Sequence, residues 1–216
     1  MENTVKTEDK QRLKRAFSPN EILRMKKKTI RLDNAWFDAF GEIEATGVVF
    51  IWGNSGNGKS SFVMQLCKKL SQHGKVLYNS LEEGVSFSTQ KSLRLFKMKD
   101  VNRRLLLVDS EDKETFSERL LWRKCADFVV IDSFQYFGMN YADYKKFKQK
   151  HKDKLLIFIS HADGRSPAGR TAKSVMFDAM LKIWVEGYRA FSKGRFIGKK
   201  GYYDIWMEKA IEYWRN

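Results

Sequence analysis

With 216 residues, 43% of them apolar, the chain has room for one α/β domain with a proper core but not for two large ones. Lys and Arg number 41 against 26 acidic residues, a net charge of +15, which favours a polyanionic partner such as nucleic acid, although charge alone supplies only non-specific attraction. Two cysteines and three histidines spell neither a disulfide framework nor a metal cluster. No apolar run is long enough to cross a bilayer, and Met1 to Lys14 has no signal-peptide core, so secreted and membrane classes are set aside and a cytoplasmic protein is expected.

Residues 1–31 read as a basic N-terminal extension, and 32–216 as the core. Met1 to Leu32 holds ten basic residues against four acidic ones. Within it, Ser18-Pro19-Asn20-Glu21 has the cap, first-turn proline and third-position glutamate of a helix start, predicting a short helix from Pro19 to about Lys27. That helix would either contact a protein partner or cover the sheet edge. Asp33 to Gly41 reads as an amphipathic segment ending at a glycine suited to a helix C-terminus. Its Trp36, Phe37 and Phe40 would pack on the core, the commoner use, or stack on a base.

The apolar run Gly47-Val48-Val49-Phe50-Ile51-Trp52 leads directly into Gly53-Asn54-Ser55-Gly56-Asn57-Gly58-Lys59-Ser60, which fits G-x-x-x-x-G-K-[ST]. The glycines let the backbone aim successive N–H groups at phosphates, with Ser61 continuing the ligand set. Lys59 reaches the β/γ-phosphates and the Ser60 hydroxyl can ligand Mg²⁺. Phe62, Val63, Leu66, Cys67 and Leu70 then give one apolar helix face, so the flanks are strand and helix as the motif requires. ATP, or another nucleoside triphosphate, is the expected ligand.

Strands are predicted at Lys75–Asn79, Leu105–Val108, Phe128–Asp132 and Leu155–Ser160. Helices fall near Ser86–Lys97, Lys113–Lys124 and Tyr141–Lys150. The alternation argues a mostly parallel sheet wrapped on both faces. Beyond Ala179, Leu181–Val185, Tyr188–Phe191 and Tyr202–Met207 look like short antiparallel strands finishing one edge. Asp132 closes a buried β-branched run at the sheet's C-terminal edge, where it would orient a magnesium-bound water. Glu82 and Glu83 follow the strand before Ser80; one of them, Glu82 preferred, is the candidate base for an attacking water, the bland reading being a solvated acidic turn. His161 at a strand end is, taken alone, more often structural than functional.

In order, these parts resemble the RecA-like ATPases, specifically the branch holding KaiC-like proteins, RadA and the DnaB-type and phage replicative helicases. Gly53–Ser60, Ser80–Glu83, Phe128–Asp132 and Leu155–His161 match that series, and Ser133 and Gln135 follow the Asp as in the KaiC and RadA branch. The resemblance implies that His161 senses the γ-phosphate. Lys193-Gly194-Arg195-Phe196 looks like the family's K-x-R-F segment, which implies that Arg195, assisted by Lys193, reaches the neighbouring subunit's nucleotide in a homo-oligomer. An ordinary basic hairpin turn is the alternative reading of that segment.

By analogy, DNA would meet two basic loops. The first, 140–152, has Lys145, Lys146, Lys148, Lys150 and Lys152 interleaved with Tyr141, Tyr144 and Phe147; the second, 162–173, has Arg165, Arg170 and Lys173. An amphipathic surface helix would account equally well for the first. The expected function is therefore a Mg²⁺-dependent RecA-type ATPase acting on DNA in replication, recombination or repair, its compact format suggesting a phage or mobile-element protein. The alternative is an ATP-dependent oligomeric switch acting on a protein partner. A small-molecule kinase is disfavoured, because no lid segment rich in arginine is legible.

Overall fold

The computed structural model describes residues 15–215; Met1 to Lys14, most of the basic extension, lies outside them. In chain order the elements are α1 (Pro19–Arg24), β1 (Thr29–Arg31), α2 (Asn34–Phe40), β2 (Glu42–Glu44), β3 (Gly47–Gly53), α3 (Lys59–Leu70), β4 (Val76–Ser80) and α4 (Phe87–Leu95). There follow β5 (Leu105–Asp109), α5 (Lys113–Arg119), β6 (Phe128–Asp132), α6 (Phe134–Phe137), α7 (Tyr141–Lys150), β7 (Leu155–Asp163), β8 (Ser166–Pro167) and α8 (Arg170–Asp178). Then come β9 (Leu181–Glu186), β10 (Arg189–Gly194), β11 (Tyr202–Asp204) and α9 (Met207–Trp214).

The main sheet runs β11-β10-β9-β3-β7-β6-β4-β5, with β8 paired to the end of β7. Strands β9, β3, β7, β6, β4 and β5 are parallel; β10 and β11 are antiparallel. Residues of β3 alternate between two cores, as the two-residue pleat demands. Val49 and Ile51 join Phe62, Leu66 and Leu70 of α3. Val48, Phe50 and Trp52 join Tyr144 and Phe147 of α7 and Val175 of α8. Both faces of β3 are therefore dry, which is why its sequence is a continuous apolar run. Each such fully buried side chain contributes about 1.5–3 kcal/mol.

From β3 the chain crosses over β7 and β6 to reach β4, whereas from β7 it returns past β3 to β9. The direction of travel thus reverses between β3 and β7, and a crevice opens outside their C-terminal ends, the usual ligand position in an open α/β sheet.

Several sequence-based expectations need correction. Strand β9 runs parallel to β3; only β10 and β11 are antiparallel. The strand expected over Tyr202–Met207 stops at Asp204, and Met207–Trp214 is a helix that seats Ala210. The helix expected over Lys113–Lys124 ends at Arg119, because Leu121 and Trp122 find no core and stay exposed. Helix α1 stops at Arg24 rather than Lys27, although its capping box forms as the sequence implies. Thr29–Arg31, counted with the extension, pair with Glu42–Glu44 and bury Ile30. Trp36 and Phe40 pack in the core, Trp36 stacking on Phe62 and Tyr203, so neither is available to a base.

Candidate functional site

Strand β3 delivers the chain to Gly53, where a side chain would strike the Val185 carbonyl at 2.2 Å, so only glycine fits between β3 and β9. Gly56 and Gly58 then adopt left-handed φ values of 78° and 95°. The turn ends in α3, whose first N–H groups have no intrahelical acceptor and face the crevice. Lys59 folds back across the loop and donates from Nζ to the Asn54 carbonyl at 3.0 Å. Burial lowers its pKa, and the charges of Asp132 and Glu82 oppose that shift. Asn57 staples the loop from outside: its Oδ1 accepts from the Gly187 N–H at 2.8 Å, in the turn between β9 and β10.

Sheet register carries the other groups to the same rim. Gly53 stands beside His161, Asp132 beside Ile159, and Ser80 beside Asp132. Asp132 accepts a hydrogen bond from the Tyr78 hydroxyl. Burial pushes its carboxyl up to about 6; Glu82 and Glu83 add to the rise, while the Tyr78 hydrogen bond and Lys59 oppose it. The Asp132 carbonyl also accepts from the N–H groups of Leu81 at 2.6 Å and Glu82 at 3.2 Å, so the loop bearing the acidic pair hangs from this strand end. Glu82 Oε2 lies 3.1 Å from His161 Nε2. Glu83 instead accepts from the Ser88 hydroxyl at 2.7 Å, at the start of α4. Geometry therefore favours Glu82 over Glu83 as the carboxylate facing the crevice.

Gln135 braces the far wall. Its Nε2 donates to Ser160 Oγ at 2.8 Å and to the Ala168 carbonyl at 3.0 Å, and its Oε1 accepts from the His161 N–H at 3.3 Å. Tyr78, the Asn57–Gly187 staple and the Gln135 bracing role escape a sequence reading: Tyr78 is one aromatic in a strand-like run, and the staple joins residues 130 positions apart.

Among the described residues, no three His, Cys, Asp or Glu side chains gather into a metal cage. One carboxylate and one hydroxyl, Asp132 and Ser60, suit Mg²⁺, which commonly takes one or two carboxylates plus substrate phosphates rather than an all-protein shell.

Asp132→Asn offers a test of the electrostatics. In the wild type the unfolded carboxyl ionises near 3.8 and the folded one near 6, so folding is penalised increasingly as pH rises between those values and fully above them. Asparagine can still accept from Tyr78 but carries no charge. The variant is expected to gain about 3 kcal/mol of stability at pH 7 and little below about pH 4. Denaturant unfolding at a series of pH values checks this, and a pH-independent difference refutes it.

The remaining predicted residues lie elsewhere. Gly194 pairs with Leu181, which pairs with Val49 near the start of β3, and Arg195 lines a groove of about 620 Å³ with Gly47 and Lys154. Arg195 thus sits roughly six strand residues, about 20 Å, from its own phosphate loop. Lys193 is exposed, its ammonium 5.6 Å from the Trp184 ring. Segment 140–152 is helix α7 rather than a loop; Tyr144 and Phe147 are buried, leaving Tyr141 as its accessible aromatic beside Lys145 and Lys146. Segment 162–173 is a tight hairpin leading into α8, with Arg165, Arg170 and Lys173 exposed. It touches the phosphate loop: Asn54 Nδ2 donates to the Gly164 carbonyl at 3.4 Å, and Trp52 Nε1 to the Arg165 carbonyl at 3.1 Å.

Fold and site together define a RecA-like α/β core with a phosphate-binding loop at its topological switch point. No protein-family model matches the chain. Among solved structures it is similar to the flagellar accessory protein FlaH from Methanocaldococcus jannaschii, with a TM-score of 0.57 over 82% of this chain and 92% of that one, at 16% identity. In sequence it is 33% identical over 95 residues to the DNA repair protein RadA of Streptococcus pneumoniae. That match takes in 44% of this chain and spans 22% of the length of RadA. The protein therefore resembles RecA-like P-loop ATPases in its fold over 82% of the chain and in sequence over 44% of it. No helix among the described residues is long and apolar enough to cross a membrane.

Proposed function

We propose that the protein is a Mg²⁺-dependent ATPase of RecA type that couples ATP binding and hydrolysis to binding or remodelling DNA in replication, recombination or repair. It would work in the cytoplasm as a homo-oligomer with shared nucleotide sites. The observation that carries the reading is the convergence of Lys59, Asp132, Glu82 and His161 on one rim, joined through Asn54 and Gln135 to the basic hairpin at 163–169. In this scheme the loop amides and Lys59 hold the phosphates, and Ser60 with Asp132 holds the metal. Bound there, Mg²⁺ would neutralise charge on the β- and γ-oxygens. Glu82 orients and deprotonates water once it leaves His161, and His161 answers to the γ-phosphate. Because His161 and the hairpin share backbone bonds, movement at the imidazole shifts Arg165 and Arg170, which face solvent and suit a phosphate backbone.

ATPase assays with and without single-stranded DNA test the proposal. Hydrolysis is expected to rise with DNA, and DNA affinity to fall about 50-fold as salt goes from 50 to 200 mM if about four phosphates are contacted. A slow rate indifferent to DNA, with assembly dependent on a protein, would instead support the nucleotide-driven switch.

A further inference from the structure

At the end of the sheet away from the phosphate loop, the groove of about 620 Å³ that holds Arg195 has a volume ordinary for a small-molecule site. Helix α7 supplies much of its lining. Lys145, Lys148 and Gln149, at i, i+3 and i+4, share one side of the helix, and Lys152 follows just past its end. Arg195 and Phe196, directly after β10, join them, and Met180 adds an apolar contact next to Gly47.

Five cations line this groove against two carboxylates, Glu44 and Asp178. Asp178 is already taken: Lys148 donates to it at 2.6 Å and the Tyr144 hydroxyl donates to it as well. Lys154 is taken too, donating to the Ala126 carbonyl at 2.8 Å. Among the described residues, Lys145, Lys152 and Arg195 form no ion pair, which leaves three cations around one hollow with Glu44 alone to offset them. Like charges gathered in this way repel one another, and a multivalent anion relieves the repulsion. His151 also lines the groove; it is buried, its Nε2 is hydrogen-bonded to the Ser117 hydroxyl at 2.8 Å, and its Nδ1 has no partner. An orphaned polar atom in a groove wall is accounted for when a ligand oxygen, or water carried in with it, supplies the missing bond.

We propose that this groove binds a small, free compound carrying two or more phosphate groups, held by Lys145, Lys152 and Arg195 and remote from the phosphate loop. A compact ligand fits better than a nucleic-acid backbone, because Lys146 and Lys150, the other lysines of α7, lie outside the groove. The cations converge on a hollow rather than follow a track along the surface. Phosphate suits them, since guanidinium holds it bidentately and ammonium groups hold it as point charges. An occupied groove would also withhold Arg195 from the neighbouring subunit and so lower turnover, a consequence that rests on the trans role implied for that arginine.

Calorimetry with inorganic tripolyphosphate and Mg²⁺, on the full chain kept dilute enough to be monomeric by light scattering, tests the proposal. The wild type is expected to take up two equivalents, one at the phosphate loop and one in the groove. Lys59→Ala should retain the groove equivalent. Lys145→Ala/Lys152→Ala should retain the loop equivalent and bind the other about tenfold or more weakly. Both lysines are exposed, so that variant should melt with the wild type. No uptake in Lys59→Ala, or undiminished uptake in the lysine double variant, overturns the proposal. So does a second equivalent that appears only on assembly, or one that a short single-stranded DNA displaces. A wild type that takes up one equivalent, unaffected by Lys59→Ala and lost in the double variant, supports the groove and removes the phosphate-loop reading instead.

Discussion

Replacing Lys59 with alanine is expected to lower ATP turnover by about 10²–10³-fold or more, with the fold intact. The ammonium is the cation placed among the loop amides, and it sits where burial already disfavours its charge while Asp132 and Glu82 hold it. Its direct hydrogen bond is to the Asn54 carbonyl, an exposed residue that water can serve equally well. Removing it therefore takes away charge stabilisation at the transferred phosphoryl group and relieves a desolvated cation. Steady-state hydrolysis measured beside a thermal melt checks both halves. Turnover near the wild-type rate would dismantle the site assignment, and a collapsed melt would mean that Lys59 is a structural residue.

Arg195→Ala should cost as much or more, about 10³-fold or beyond, if its guanidinium serves a neighbour's γ-phosphate. The placement leaves no other route to a nucleotide: Arg195 stands at the opposite end of the sheet from its own loop, exposed beside Lys145 and Lys152. Mixing the two dead proteins makes the argument sharp. A Lys59→Ala subunit still offers Arg195, and an Arg195→Ala subunit still offers an intact loop. In a head-to-tail assembly at equal amounts, roughly a quarter of the interfaces bring those halves together. Activity should therefore reappear on mixing, whereas a Lys59→Ala/Arg195→Ala chain mixed with Arg195→Ala recovers none. No recovery in the first mixture would leave Arg195 as an ordinary surface cation.

Much of this site is legible in the sequence because the phosphate loop is a local device. Gly53, Gly56 and Gly58 are needed where the chain turns left-handed or meets Val185, and the flanking runs have the periods of a buried strand and a one-faced helix. Asp132 and His161 are legible for a related reason: parallel strands all end at one rim, so a polar residue closing an apolar run must arrive there. What periodicity does not encode is direction and partner. Strand β9 reads like any short strand, yet the crossover through α8 lays it parallel to β3. The Tyr202–Met207 segment is aromatic enough to look extended throughout, and the helix beginning at Met207 becomes visible only through the buried Ala210. Tyr144 and Phe147 fit either a stacking surface or a core face, and packing against Phe158 decides for the core.

The bond from Gly187 to Asn57 has a consequence for how the protein comes into being. A nascent chain that has just emerged with its glycine-rich turn complete lacks the residue that pins that turn, since the pin is synthesised 130 positions later. Competence to hold a nucleotide should consequently mature late, after the hairpin bearing Gly187 has closed on the sheet, and nucleotide present during synthesis would find little to grip until then.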